Sequence, residues 1–156
     1  MIRITKILYP TDFSSYSNQA YFHAVALAEK HQASLTIAYV YSPAPPAGKP
    51  SGKGGGDRRH WQEQLQQIRP MDVRIPVHHA FLEGDPASEI VRYAADAGID
   101  LIVMGTHGRT GLERQLMGSV AEKVMRDAPC SVLVVKLPKG MTFPERGDVE
   151  VVRDSR

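Results

Sequence analysis

The strongest constraint on this chain is an alternation. Stretches rich in β-branched and aromatic residues, RITKILYP (3–10), SLTIAYVY (34–41), 73–81, DLIVM (100–104) and SVLVVK (131–136), are separated by stretches with apolar residues at helical spacing. In 14–31, Ala20, Ala24, Leu27 and Ala28 share one face of a 3.6-residue period; in 58–68, Trp61, Leu65 and Ile68 do so. Ala87, Ile90, Val91 and Ala94 supply the face of a third helix, begun by Asp85-Pro86 and stopped at Gly98. Val120, Val124 and Ala128 supply a fourth, over 119–128, stopped by Pro129. Strands alternating with helices predict a parallel sheet with helices on both faces, because right-handed crossovers put them there. Pro76 inside the third strand predicts a sheet edge, since proline removes a ladder donor. DLIVM, nearly all apolar, reads as a strand covered on both faces.

Length and composition narrow the functional classes. A chain of 156 residues fits one domain, here 1–137, followed by a polar tail, 138–156. The segment 43–57 is almost all Pro, Gly, Ala, Ser and Lys and reads as a flexible surface loop. Within it, 48–54 resembles a phosphate-binding Walker A loop. Ala47 replaces that motif's first glycine and Gly54 its Ser/Thr, so a flexible tract is the better reading. The lone Cys130 excludes an internal disulfide framework and a Cys-only zinc site, and reads as a small packed hydrophobe. A net charge of +2 argues against a dedicated nucleic-acid binder. No window approaches 18 consecutive apolar residues, so no membrane helix is expected. The start lacks a basic and then apolar leader, so a reducing, cytoplasmic setting is the expectation.

In a doubly wound sheet the ligand crevice lies beyond the carboxyl ends of the strands, where strand order reverses. Pro10-Thr11-Asp12, Val40-Tyr41 and the loop after the fourth strand fall there. That loop, 105–118, is glycine-containing and opens on a helix at Gly118-Ser119. Unpaired N–H groups at a helix start, aided by the dipole, suit a phosphate chain lying between Gly108 and the 118–120 amides. Spacing alone leaves a second reading, glycines in a connecting loop with Ser119 an ordinary cap. Asp12 is open in the same way, as a partner for a divalent ion with phosphates or as a turn residue bonding its own backbone. His107 and Arg109 either approach the phosphates or face solvent, and Arg114 reads as a surface charge. Ser14 reads as a helix cap. His78 and His79 are adjacent on a strand, so they point to opposite faces and share no metal.

The spacing G-x2-G-x9-G-S, from Gly105 through Ser119, resembles the ATP-binding signature of the universal stress protein family. KILYPTDFS (6–14), LTIAYVY (35–41), GDPASEIV (84–91), 100–124 and PCSVLVVK (129–136) resemble further family segments in the right order. The resemblance covers 1–137 apart from the Pro/Gly loop. It implies an adenine-nucleotide α-hydrolase-like sheet of strand order 3-2-1-4-5. It places Asp12 near ribose and adenine beside Pro10 and Thr11, and the Val40 backbone at the adenine edge. Met104 and Gly105 would line base and ribose. Gly108, Gly118, Ser119 and Val120 would hold the phosphates of ATP. Apart from the resemblance, the residue readings add His107 near the phosphates and Mg2+ or Mn2+ at Asp12 as expectations. Ser131 stands where the family commonly has proline, and Tyr39 where histidine is frequent.

No lysine is positioned beside the phosphate loop and no carboxylates are paired there. A nucleotide-binding regulatory protein with at most slow hydrolysis is therefore expected rather than an enzyme. The alternatives are a genuine ATPase or phosphotransferase, and an interaction protein with a vestigial pocket. The apolar final strand would be an open edge. The resemblance implies that 131–136 pairs with its copy in a homodimer.

Overall fold

A computed structural model describes residues 1–42, 57–106 and 117–136. Five strands and four helices alternate: β1 (Lys6–Pro10), α1 (Ser15–His31), β2 (Ser34–Tyr41), α2 (Arg58–Gln66), β3 (Val77–Glu83), α3 (Pro86–Ala97), β4 (Leu101–Gly105), α4 (Ser119–Asp127) and β5 (Ser131–Val135). The strands form one all-parallel sheet of order β3-β2-β1-β4-β5, as expected. The crossovers run one way from β1 to β3 and the other way from β4 to β5. The switch point therefore lies between β1 and β4.

Alternate residues of each strand feed two cores. Ile7, Tyr9, Leu35, Ile37 and Val103 pack under α1 and α2. Leu8, Ala38, Ile102 and Met104 pack under α3 and α4. Every residue of β4 is buried, which explains its unbroken apolar run. Helix α1 presents Ala20, Ala24 and Ala28 to the sheet, and these small side chains let it lie close. Ser14 caps it, its side chain accepting from the Ser17 amide. Asp85 caps α3 in the same way through Ser88, with Pro86 in the first turn and Gly98 left-handed at the end (φ 65°).

Three expected boundaries shift. Strand β1 begins at Lys6 rather than Arg3, because the amides of Thr5 and Lys6 donate to the Asp100 carboxylate. Helix α2 ends at Gln66, and Ile68 packs against the core from beyond it. Strand β3 does not span 73–81 with Pro76 inside. It begins at Val77, after a turn in which Ile75 N–H donates to Asp72, while Met71 and Val73 are exposed. Pro76 contributes only its carbonyl, which accepts from Leu35 at 2.8 Å. The edge position of β3 holds nevertheless. The Pro/Gly segment, apart from Asp57, and the tail lie outside the described residues.

Candidate functional site

Above the carboxyl ends of β1, β2 and β4 lies a cavity of about 400 Å³. Its walls are the turn after β1 and the first turns of α3 and α4. The sequence-chosen residues Pro10, Thr11, Asp12, Val40, Met104, Gly105, Gly118, Ser119 and Val120 all line it. His107 and Gly108 lie outside the described residues, as do Arg109 and Arg114.

The turn after β1 is pinned by its own side chains. Thr11 is buried; its amide donates to the Ala38 carbonyl (2.8 Å) and its Oγ1 accepts from the Phe13 amide (3.0 Å). Asp12 Oδ1 accepts from the Ser14 amide at 2.9 Å. The turn reading of Asp12 is thus correct for one oxygen, and the residue still faces the cavity. Beneath the turn, Tyr9 donates its hydroxyl to the Ser17 carbonyl (2.8 Å), and burial pushes its pKa up to about 12.

Opposite, Gly118 is the N-cap of α4 in extended geometry and makes no side-chain cap bond. Its amide donates to the Thr106 carbonyl, so it is already engaged. The first intrahelical bond is Glu122 N–H to Gly118 O (3.0 Å). Helix geometry therefore leaves the amides of Ser119, Val120 and Ala121 without an intrahelical acceptor. All three residues line the cavity. The available donor set sits one residue later than 118–120, because the spacing could not reveal the Thr106 bond.

The charge pattern of the lining is spare. Among the described residues it carries one carboxylate, Asp12, and no cationic side chain. An anion there would be met by backbone dipoles. No group of three or more metal-ligating side chains occurs among the described residues. Asp12 alone therefore fits a divalent ion only if phosphate oxygens supply most of its shell. His79 lies 2.8 Å from the Ile68 carbonyl through Nε2, while His78 is exposed, which separates the pair as expected. Cys130 is half-buried and burial raises its thiol pKa, the opposite of an activated nucleophile.

The sequence reading missed part of the lining. Ser17, Tyr39, Ser42, Pro86, Ile90 and Ala121 also line the cavity, as do Tyr41 and Thr106 from segments already expected at the crevice. Pro86 and Ile90 carry a detectable signal, since a helix start after β3 must also rise to the carboxyl end of the sheet. Nothing in spacing alone marks Ser17, which reaches the site from one turn inside α1.

The sequence model of the Universal stress protein family matches residues 3–136. A universal stress protein of Methanocaldococcus jannaschii is 43% identical over 142 residues, covering 86% of this chain and 83% of that one. The structure of the universal stress protein UspA from Lactobacillus plantarum superposes with a TM-score of 0.72 at 32% identity, covering 85% of this chain and 98% of that one. A universal stress protein solved in complex with cAMP gives a TM-score of 0.65 at 24% identity, covering 87% and 99%. With the sheet order and the cavity at its switch point, these matches show that the chain belongs to the universal stress protein family.

Proposed function

We propose that this protein binds ATP in the switch-point cavity and acts as a nucleotide-dependent regulator in the stress response, with at most slow hydrolysis. The observation that carries the reading is that Ser119, Val120 and Ala121, whose amides helix geometry leaves without an intrahelical acceptor, line the same cavity as Asp12 and Val40. Phosphates would lie on those amides and the Ser119 hydroxyl, with Gly108 and His107 completing the cradle. Adenine would meet the Val40 backbone, with Met104 and Gly105 along base and ribose, and Pro10, Thr11 and Asp12 on the far side. Mg2+ or Mn2+ would bridge Asp12 and the phosphates. The cAMP complex of a more distant member supplies a precedent for the fold and none for the length of the phosphate chain.

The regulatory reading follows from the lining. The described part of the lining offers one carboxylate and no cation to charge developing on a leaving phosphate, which supports that reading. Regulation would act by nucleotide shifting the population of a conformation or assembly. One domain, 1–137, would carry this function in the cytoplasm, with 138–156 as a tail. Strand β5 is an edge of the sheet, and its Leu133 is 38% exposed, which supports pairing of 131–136 with the same strand of a second copy.

The test is calorimetry with ATP on protein freed of carried-over nucleotide. The unaltered chain is expected to bind, and Gly118→Val with Ser119→Val is expected to lose binding by more than tenfold while unfolding cooperatively as before. The branched side chains would fill the space in front of the amides. Undiminished binding by the double variant would place the phosphates elsewhere. Many turnovers per minute with magnesium, lost in Asp12→Ala, would move the protein to the enzyme class.

A further inference from the structure

Among the described residues only Phe13 and Gln32 combine a side chain with positive φ. Gln32 is an ordinary left-handed helix end at the far side of the sheet (φ 52°). Phe13 is different. It sits at φ 61° inside the turn that carries Thr11 and Asp12, a position where glycine or asparagine is the usual choice. A bulky residue in that region is strained, and it persists only where its surroundings hold it.

What holds it is a set of rings. Phe13 is 5% exposed and stacks on Trp61 of α2, with centroids 5.3 Å apart and planes at 21°. It also lies 4.8 Å from Tyr39 of β2, which itself lines the cavity. Tyr39 and Trp61 stack in turn at 5.5 Å. The backbone on either side of this ring is tied to groups that face the cavity: Phe13 N–H to Thr11 Oγ1, and Ser14 N–H to Asp12 Oδ1. Release of the ring would free the turn, and with it the direction of the Asp12 carboxylate. A glycine would satisfy the backbone angle without strain, so the ring has a task that the angle alone does not explain.

We infer that Phe13 is a positioning residue for the ligand site: its ring, clamped by Tyr39 and Trp61, fixes Asp12 and Thr11 toward a bound nucleotide. The inference rests on the nucleotide-binding reading and adds to it a residue that never touches the ligand.

Three substitutions separate the ring from the backbone angle, with ATP affinity measured by calorimetry on the full chain. Phe13→Gly accepts the angle and lacks the ring. Phe13→Ala keeps the strain and lacks the ring. Phe13→Tyr keeps the ring. The expected result is that Gly and Ala both weaken ATP binding about tenfold, the size of coupling common for a residue that acts on a ligand through another, while Tyr stays near the unaltered chain. In an Asp12→Ala background the Phe13→Gly loss is expected to shrink to about twofold or less, because the two changes then remove one interaction. A purely structural role would leave the two losses additive. Phe13→Gly binding ATP as tightly as the unaltered chain, or additive losses, would overturn the inference and leave the nucleotide reading intact. Failure of the unaltered chain to bind ATP would overturn both. If Phe13→Ala does not fold, the Gly and Tyr variants carry the comparison.

Discussion

At the scale of single residues, the structure shows how a few side chains shape the space into which a ligand would fit. Tyr9 has its ring in the core and its hydroxyl on the Ser17 carbonyl, directly under the turn that carries Asp12. Burial holds its folded pKa near 12, against 10 for a free tyrosine. The neutral phenol therefore contributes stability that is fully present below pH 10 and lost as pH rises through 12, on the order of 3 kcal/mol for a shift of this size. Tyr9→Phe is expected to cost about 1 kcal/mol at pH 7 and to flatten that alkaline loss. Urea unfolding at pH 8 and pH 11 checks both; an unchanged slope against pH would show that Tyr9 is not the group responsible. Phe13 was invisible to pattern reading for a physical reason. A phenylalanine in a turn looks like any apolar residue until its φ is known.

At the scale of elements, legibility followed how local the cause was. Strand β2 was readable to the residue, because β-branched and aromatic side chains dominate it, at Thr36, Ile37, Tyr39, Val40 and Tyr41. The cap of α3 was readable because Asp85, Pro86 and Gly98 act within one turn of themselves. The start of β1 was not, because it is set by Asp100, distant in sequence, whose carboxylate takes the Thr5 and Lys6 amides. The start of β3 escaped as well, since the turn of 72–75 depends on Asp72 binding its own neighbours. Two predictions belong at this scale. Gly98→Ala meets nothing within 4 Å of the added carbon, so its cost is the left-handed backbone alone, about 1 kcal/mol and a Tm lower by about 2–4 °C. Asp100, whose pKa is lowered chiefly by the Thr5 amide and hydroxyl, contributes stability above the free aspartate pKa of about 3.9 that is lost as pH falls through its lower folded value. Asp100→Asn is expected to reduce the difference in denaturation midpoint between pH 7 and pH 3, and an unaltered difference would assign the acid response to other carboxylates.

At the scale of the whole molecule, the topology decides where chemistry can happen. An alternating pattern gives a parallel sheet, the reversal between β1 and β4 opens a crevice, and the uncapped start of α4 borders it. Much of the candidate site was legible because it lies at strand ends and at a glycine-marked helix start. The Gly118 bond to Thr106 was not, and it moves the available donors to Ser119, Val120 and Ala121. Assembly is the other question at this scale. If β5 pairs with its copy, Leu133→Glu should convert a dimer to a monomer in light scattering, and a dimer unaffected by that charge would locate the interface elsewhere. The most direct test of the central claim is to follow the backbone amide resonances of the nucleotide-free protein during titration with ATP. The account predicts that Ser119, Val120 and Ala121 shift together and saturate with the binding isotherm, whereas Gly118, held by Thr106, moves less. Saturable ATP binding with those three resonances unmoved would contradict it.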